Sequence, residues 1–331
     1  MVLLTETVRS ALLHLRMLRP GERVLAGVSG GPDSLALLSA LTALAPELKI
    51  TLRACYVDHG LRPAACKKEA ALVRKYGQLW GVPVTVVKAR VARRGGQSPE
   101  AAARRARYGV LWAAAKRLRC RAVALGHTAD DQAETVLMWI LRGTGTAGLA
   151  GIPPVREVDG LRLVRPLLGT TREEVSAHLK QQGIRPLLDR SNLSARFTRN
   201  RIRRDLIGRL EKEYNPRLRR HLCSLAEIVR GDMDWLGLQT AAEFRRAGRV
   251  GAKGVRLDRA RLRALHPALR RGVLREAVRR MQGDCAGFGY AHWVVLEGLA
   301  LNGAKGAADL PHGFRAEIID GKTLFLRRSC L

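Results

Sequence analysis

Short apolar runs alternate with amphipathic stretches over the first 125 residues. Residues 23–28, 50–57, 82–87 and 122–125 are brief, largely apolar segments, and they predict strands. Residues 35–44, 66–80 and 99–118 lie between them and predict helices. Apolar strands separated by helices predict a parallel sheet covered on both faces, an α/β, Rossmann-like layout. Ligands of such sheets bind at the carboxyl ends of the strands. The polar motifs fall there: Ser29-Gly30-Gly31-Pro32-Asp33-Ser34 after the first strand, Asp58-His59-Gly60 after the second, Gly126-His127 after the fourth. A helix is predicted over 129–142, with Ala133, Val136, Leu137, Ile140 and Leu141 as its apolar stripe and Gly143-Thr144-Gly145 as its stop. Residues 148–168, rich in glycine and proline, read as a structured loop. Thr171-Arg172-Glu173-Glu174 reads as a capped helix start.

From about residue 196 the pattern becomes helical and strongly basic, with weak strand signals only at 315–319 and 323–327. Residues 196–280 hold 24 Lys and Arg against 9 Asp and Glu. This shift sets an expected boundary near Leu210, giving an α/β domain at 1–210 and a smaller, mainly helical basic domain at 211–331. Over all 331 residues the formal net charge is +30. That balance excludes an enzyme acting on small neutral metabolites alone and points to a polyanion such as nucleic acid. The plainer alternative is a general arginine bias. None of the six cysteines are spaced C-x-x-C, which argues against a zinc ribbon or an iron–sulfur site. No signal peptide and no apolar run of about 20 residues is present, so a reducing cytoplasm is expected, without a membrane span.

Four groups carry candidate chemistry. In the 29–34 loop, two adjacent glycines allow close backbone approach and the following helix start favours an anion. Ser29 and Ser34 add hydroxyls, and Asp33 adds a carboxylate able to hold Mg²⁺. The bland reading is an ordinary strand-to-helix turn. In the second group, His127 precedes Asp130, Asp131 and Glu134, three acids at one end of one helix. Such crowding calls for a cation, either Mg²⁺ or an ammonium group; a solvated acidic first turn is the alternative. The third group, Ser98-Pro99-Glu100 followed by Arg104, Arg107 and Tyr108, offers phosphate contacts or a basic surface face. The fourth, Asp189-Arg190-Ser191-Asn192 followed by the arginine-dense run at 196–203, suits phosphate contacts or a solvated helix start.

Together these residues resemble a known family. SGGPDS resembles the S-G-G-x-D-S loop of the N-type ATP pyrophosphatases. The ordered motifs YVDHGLR (56–62), SPE…R…RY (98–108), GH…DDQAET (126–135), RGTG (142–145) and D.SN…RNRIR (189–203) resemble the tRNA(Ile)-lysidine synthases. They span about residues 22–210, and the segment from Tyr214-Asn215-Pro216 onward resembles that family's tRNA-binding domain. Thr128 departs from the pattern, standing where many members carry a second histidine. The chain resembles the short form of the family, without a further carboxyl-terminal domain.

The resemblance implies a two-step reaction. ATP adenylates O2 of the first anticodon cytidine of a CAU-anticodon tRNA(Ile), releasing pyrophosphate. The ε-amine of free lysine then bonds to carbon-2 and AMP leaves, changing codon reading from AUG to AUA and charging from methionine to isoleucine. The cofactors implied are ATP and Mg²⁺; a homodimer is left open. The implied nucleotide-binding set is Ser29, Gly30, Gly31, Pro32, Asp33, Ser34, Asp58 and Arg104, with Asp33 on the metal. Catalytic roles are implied for Asp33, His127, Asp131, Glu134 and Arg199, with Asp131 and Glu134 selecting lysine. A tRNA thiolase, a small-molecule amidotransferase and a non-catalytic tRNA-binding protein are the competing readings. All of this requires the 29–34 loop and the acid cluster to face common space.

Overall fold

The computed structural model describes residues 4–58, 60, 63–89, 99–187 and 198–328, the side chains of 99–104 excepted. The chain divides into two compact units, Met1–Ile228 and Val229–Leu331.

Unit 1 runs α1 (Leu4–His14), β1 (Arg23–Gly27), α2 (Pro32–Leu44), β2 (Thr51–Asp58), α3 (Pro63–Leu79), β3 (Val84–Lys88), α4 (Pro99–Arg117), β4 (Ala122–Leu125), α5 (Ala129–Arg142), α6 (Thr146–Leu149), β5 (Val155–Val158), β6 (Leu161–Val164), α7 (Arg172–Gln181), α8 (Thr198–Arg201), a π-helical turn (Ile202–Leu206), α9 (Ile207–Glu213) and the start of α10 (Leu218–Ala247). The sheet order is β3-β2-β1-β4-β6-β5, parallel except for β5. Successive strand residues serve opposite faces. Val24, Ala26, Ala54, Tyr56, Ala122 and Ala124 pack in one core with α1, α2, α3 and α7. Leu25, Cys55, Val57, Val123 and Leu125 pack in the other with Leu111, Trp112 and Ala115 of α4. A sheet buried on both sides is why the strands read as apolar runs rather than as alternating patterns.

Two expectations change in unit 1. The region 148–168 is not a loop throughout: β5 and β6 form a hairpin there, and β6 extends the sheet beside β4. Asp159 and Gly160, both at positive φ, make its tight turn. The expected boundary near Leu210 lies inside unit 1. Ile207, Leu222 and Ala226 are buried there with Ala133, Val136, Leu137 and Ile202, so α9 and the start of α10 cover the first part of the α5 stripe, whereas Ile140 and Leu141 are exposed.

Unit 2 holds the rest of α10, then β7 (Gly248–Gly251), β8 (Gly254–Asp258), α11 (Arg259–Ala264), α12 (Pro267–Gln282), α13 (Tyr290–Leu301), β9 (Ala307–Leu310), β10 (Phe314–Ile319) and β11 (Thr323–Arg328). Helix still outweighs strand, but the strands form a five-membered antiparallel sheet, β7-β8-β11-β10-β9. Only β10 and β11 correspond to sequence signals; β7 and β8 are short and carry arginine and glycine, and β9 is short and carries Asp309. Val255, Leu257, Leu324 and Leu326 pack on Val273, Ala277, Trp293 and Leu296. Arg259, 1% exposed, donates to the carbonyls of Leu299, Asn302, Gly303 and Gly321 and ties α11 to two turns. No helix among the described residues is long and apolar enough to cross a membrane.

Candidate active site

The 29–34 loop leaves β1 and enters α2. Gly30 sits at φ +82°, a conformation that disfavours a side chain, and Pro32 occupies the first helical position after the Gly31 cap. The Ser34 hydroxyl donates to the Gly31 carbonyl at 2.9 Å and accepts the Ser29 N–H at 3.1 Å. The two serine hydroxyls are 3.2 Å apart. Leu187 N–H donates to the Gly30 carbonyl at 3.0 Å and fixes the loop from outside. The result is a pre-shaped turn whose helix dipole and first-turn amides favour an anion. At the exit of β4, a Cβ on Gly126 would lie 2.8 Å from the Asp33 carbonyl oxygen. Only glycine lets these two chain segments meet so closely.

Asp33 is where the loop meets the acid cluster. Its Oδ1 is buried and has no hydrogen-bond partner. Burial pushes its carboxyl up to about 6, with Asp131 and Asp130 adding to the rise and Arg172 and Arg203 opposing it. The carboxyl on this turn thus lies within electrostatic reach of Asp130 and Asp131 of α5 and of Arg172 and Arg203, which pair with those acids.

The cations that balance the acids are guanidiniums, where the sequence had pointed to Mg²⁺ or an ammonium. Asp131 Oδ1 accepts from Arg172 at 3.1 Å, Arg199 at 3.1 Å and Arg203 at 3.3 Å. Its Oδ2 accepts the Thr128 N–H at 3.0 Å and the Thr128 hydroxyl at 3.4 Å. Glu134, 0% exposed, accepts from Arg199 Nε at 2.9 Å, from Arg203 Nε at 2.6 Å and Nη2 at 3.1 Å, and from Arg172 at 3.2 Å. A carboxylate offers about four acceptor sites, so both are saturated. Asp130 takes the Arg172 backbone N–H at 2.9 Å and Arg219 at 2.5 Å. Burial alone would raise the Glu134 carboxyl, but the Arg203 hydrogen bond and the charges of Arg199, Arg203 and Arg172 outweigh it and hold it below the usual range.

His127 follows β4, and its Nδ1 accepts from Arg165 Nε at 3.3 Å. That places the proton of the neutral ring on Nε2. Arg165, 4% exposed, also donates to the Pro153 carbonyl at 2.5 Å. Asp58 ends β2, and its Oδ1 accepts the Gly60 N–H at 2.8 Å. Hydrogen bonds join Asp131, Glu134 and Arg199 in one cluster, and Asp33 of the 29–34 loop is coupled electrostatically to Asp131. Arg104 lies on α4, but its side chain is outside the described residues, as are Asp189, Ser191 and Asn192. Sequence reasoning gave no site role to Arg172, Arg165 or Arg219 and left that of Thr128 open. The arginines' partners lie dozens of residues away, so no local spacing announces them. The Thr128–Asp131 pair was legible as a residue and its helical third neighbour.

Residues 4–210 match the family of PP-loop domains, an ATP-binding fold, and residues 257–317 match the TilS substrate binding domain. The tRNA(Ile)-lysidine synthase of Symbiobacterium thermophilum is 38% identical over 337 residues, covering 98% of this chain and 69% of the relative. That of Salinispora tropica is 37% identical over 315 residues, covering 93% of this chain and 91% of the relative. The Clostridioides difficile enzyme of the same name is 30% identical, and the match spans 61% of it. Among solved structures, the U34-tRNA thiolase NcsA of Methanococcus maripaludis with its [4Fe-4S] cluster aligns with TM-score 0.58 at 20% identity, covering 68% of this chain and 78% of that one. At that identity the likeness concerns the fold alone. With the PP-loop match over most of unit 1 and lysidine synthases alike along nearly the whole chain, this protein belongs to the tRNA(Ile)-lysidine synthase family, PP-loop ligases that form lysidine in tRNA.

Proposed function

We propose that this chain joins free lysine to carbon-2 of the wobble cytidine in the CAU anticodon of tRNA(Ile), with ATP as the activating co-substrate. The observation that carries this reading is the convergence on Asp33: an anion-favouring turn and an acid–arginine cluster act on one buried carboxyl. The 29–34 loop holds the ATP phosphates, its shape fixed in advance by the Ser29–Ser34–Gly31 hydrogen bonds. Asp33 Oδ1, buried without a partner, is the oxygen that would hold a Mg²⁺ ion. That ion, when bound, neutralises phosphate charge during attack on the α-phosphorus. His127, with its proton on Nε2, donates toward the nucleotide. A pyrimidine oxygen is a poor leaving group, and its adenylation makes AMP the group that departs. The cytidine leaves its stack to reach the pocket.

The lysine step has two costs. At pH 7 only about one ε-amine in 10³ is neutral, a penalty of about 4 kcal/mol. The second cost is specific to this site. Asp131 and Glu134 are saturated by Arg172, Arg199 and Arg203. A lysine ammonium seated on them displaces at least one guanidinium.

The test is pyrophosphate release. It should require ATP, Mg²⁺ and an unmodified tRNA(Ile) transcript, after which lysine, not sulfur or ammonia, enters the RNA. Glu134→Ala should impair lysine transfer more than pyrophosphate release; equal loss of both would remove the lysine-selecting role. A thiolase would need a sulfur source; Cys55 and Cys120 lie within apolar packing, and the Cys223 thiol donates to the Ala129 carbonyl.

A further inference from the structure

The amino-terminal ends of the strands carry a second charged feature, at the opposite end of the sheet from the 29–34 loop. Arg121 N–H donates to the Arg23 carbonyl at 2.8 Å, and Arg162 N–H donates to the Arg121 carbonyl at 3.1 Å. This ladder lines up three arginines across the starts of β1, β4 and β6. With Arg19 and Arg119 they line a cleft of about 600 Å³. Two carboxylates share it. Glu22 pairs with Arg162 and also accepts the Arg19 backbone N–H at 3.0 Å. Glu157 stands opposite Arg162 in the β5–β6 register. Among the described residues, the guanidiniums of Arg19, Arg23, Arg119 and Arg121 have no carboxylate partner, and all four residues are exposed. Arg119 is held at φ +55° in the turn that leads from α4 to β4.

Four exposed guanidiniums around one concavity repel each other, and an anion relieves that repulsion. The guanidinium fork matches phosphate oxygens two at a time. No aromatic ring lines the cleft, so it offers nothing for a base to stack on. Ligands of open α/β sheets use the carboxyl ends of the strands, so the cleft is not the nucleotide site. We propose that it is a second anion site, which takes phosphate groups of an RNA strand without reading its sequence. That the strand belongs to tRNA rests on the function proposed above; the anion chemistry does not.

The test compares the full-length wild type with an Arg119→Asn/Arg121→Ser variant. Asparagine tolerates the left-handed backbone at 119. Binding of a labelled tRNA(Ile) transcript is measured from 50 to 200 mM KCl. The expected result is a log–log salt slope shallower by about one to two units in the variant, one for each phosphate that is no longer neutralised. Pyrophosphate release at saturating tRNA is retained. In a second arm, inorganic pyrophosphate is titrated while the arginine Nε–H signals are followed by NMR. An unchanged salt slope with pyrophosphate binding to the wild type alone assigns the site to a free phosphate ligand and removes the RNA. An unchanged slope with no pyrophosphate binding overturns the site altogether. Should the double variant unfold, Arg19→Gln carries both arms. A wild type that releases no pyrophosphate refutes the proposed function while leaving the phosphate titration readable.

Discussion

Neutralising Glu134 should destabilise unit 1 more than most single changes can. In Glu134→Gln the fully buried carboxylate loses its charge, and Arg172, Arg199 and Arg203 are left sharing Asp131. Removing one partner from a buried ion pair costs about 3–5 kcal/mol. The three guanidiniums keep side-chain exposures of 25–29%, so water screens part of the imbalance and the lower end, about 3 kcal/mol, applies. For a domain of this size 1 kcal/mol moves the melting temperature by about 2–4 °C, so a loss of about 6–12 °C is expected. The assay is thermal unfolding of the unit 1 transition at pH 7.5, in chelator and without substrates. The pH dependence supplies a second reading. The folded-state carboxyl of Glu134 lies below its ordinary value of 4.5, so its stabilisation is present above that value and is lost as pH falls through the folded one. The gap between wild type and variant should therefore narrow on acidification below about 4.5. A shift under about 2 °C at pH 7.5, or a gap that widens in acid, would refute the reasoning.

Arg203→Gln should lower the lysine KM, because one guanidinium fewer competes for the acid pair; an unchanged or higher KM in steady-state kinetics contradicts displacement. In metal-free protein, Asp33→Asn should raise the melting temperature at pH 7.5. The folded-state carboxyl, near 6, lies above its ordinary 3.8, so the charged form is the unfavourable one at neutral pH, and the advantage should vanish as pH falls to about 4. Gly126→Ala would set a Cβ 2.8 Å from the Asp33 carbonyl oxygen; a cost of about 1–3 kcal/mol and a raised KM for ATP are expected from denaturation and kinetics. Thr128→Val leaves Asp131 Oδ2 one donor short and should cost about 1 kcal/mol, with Thr128→Ser close to wild type in the same denaturation series.

The parallel sheet was legible because its strands are buried on both faces and its helices are periodic. The hairpin of β5 and β6 was not, although Val155-Arg156-Glu157-Val158-Asp159-Gly160-Leu161 carries an Asp-Gly turn between β-prone residues; the surrounding glycines and prolines masked it. The boundary followed composition, whereas compactness follows packing. The basic composition begins near residue 196, but Leu222 and Ala226 are buried against α5. At the site, the 29–34 loop and the acids of α5 were visible because each is local in sequence. The arginines that saturate those acids come from α7, α8 and the π-helical turn, and only the folded chain brings them together. A local pattern shows that a charge needs a partner; it does not show which partner arrives.

Three of the four thiols described in unit 1 have a practical consequence. Burial pushes Cys55 and Cys223 up to about 11, and Cys120 shifts in the same direction. At neutral pH these sulfurs stay protonated and are poor nucleophiles. Slow alkylation is the expected consequence. A maleimide dye aimed at a cysteine introduced on an exposed helix face of unit 1 should therefore report its own position without those three being removed first.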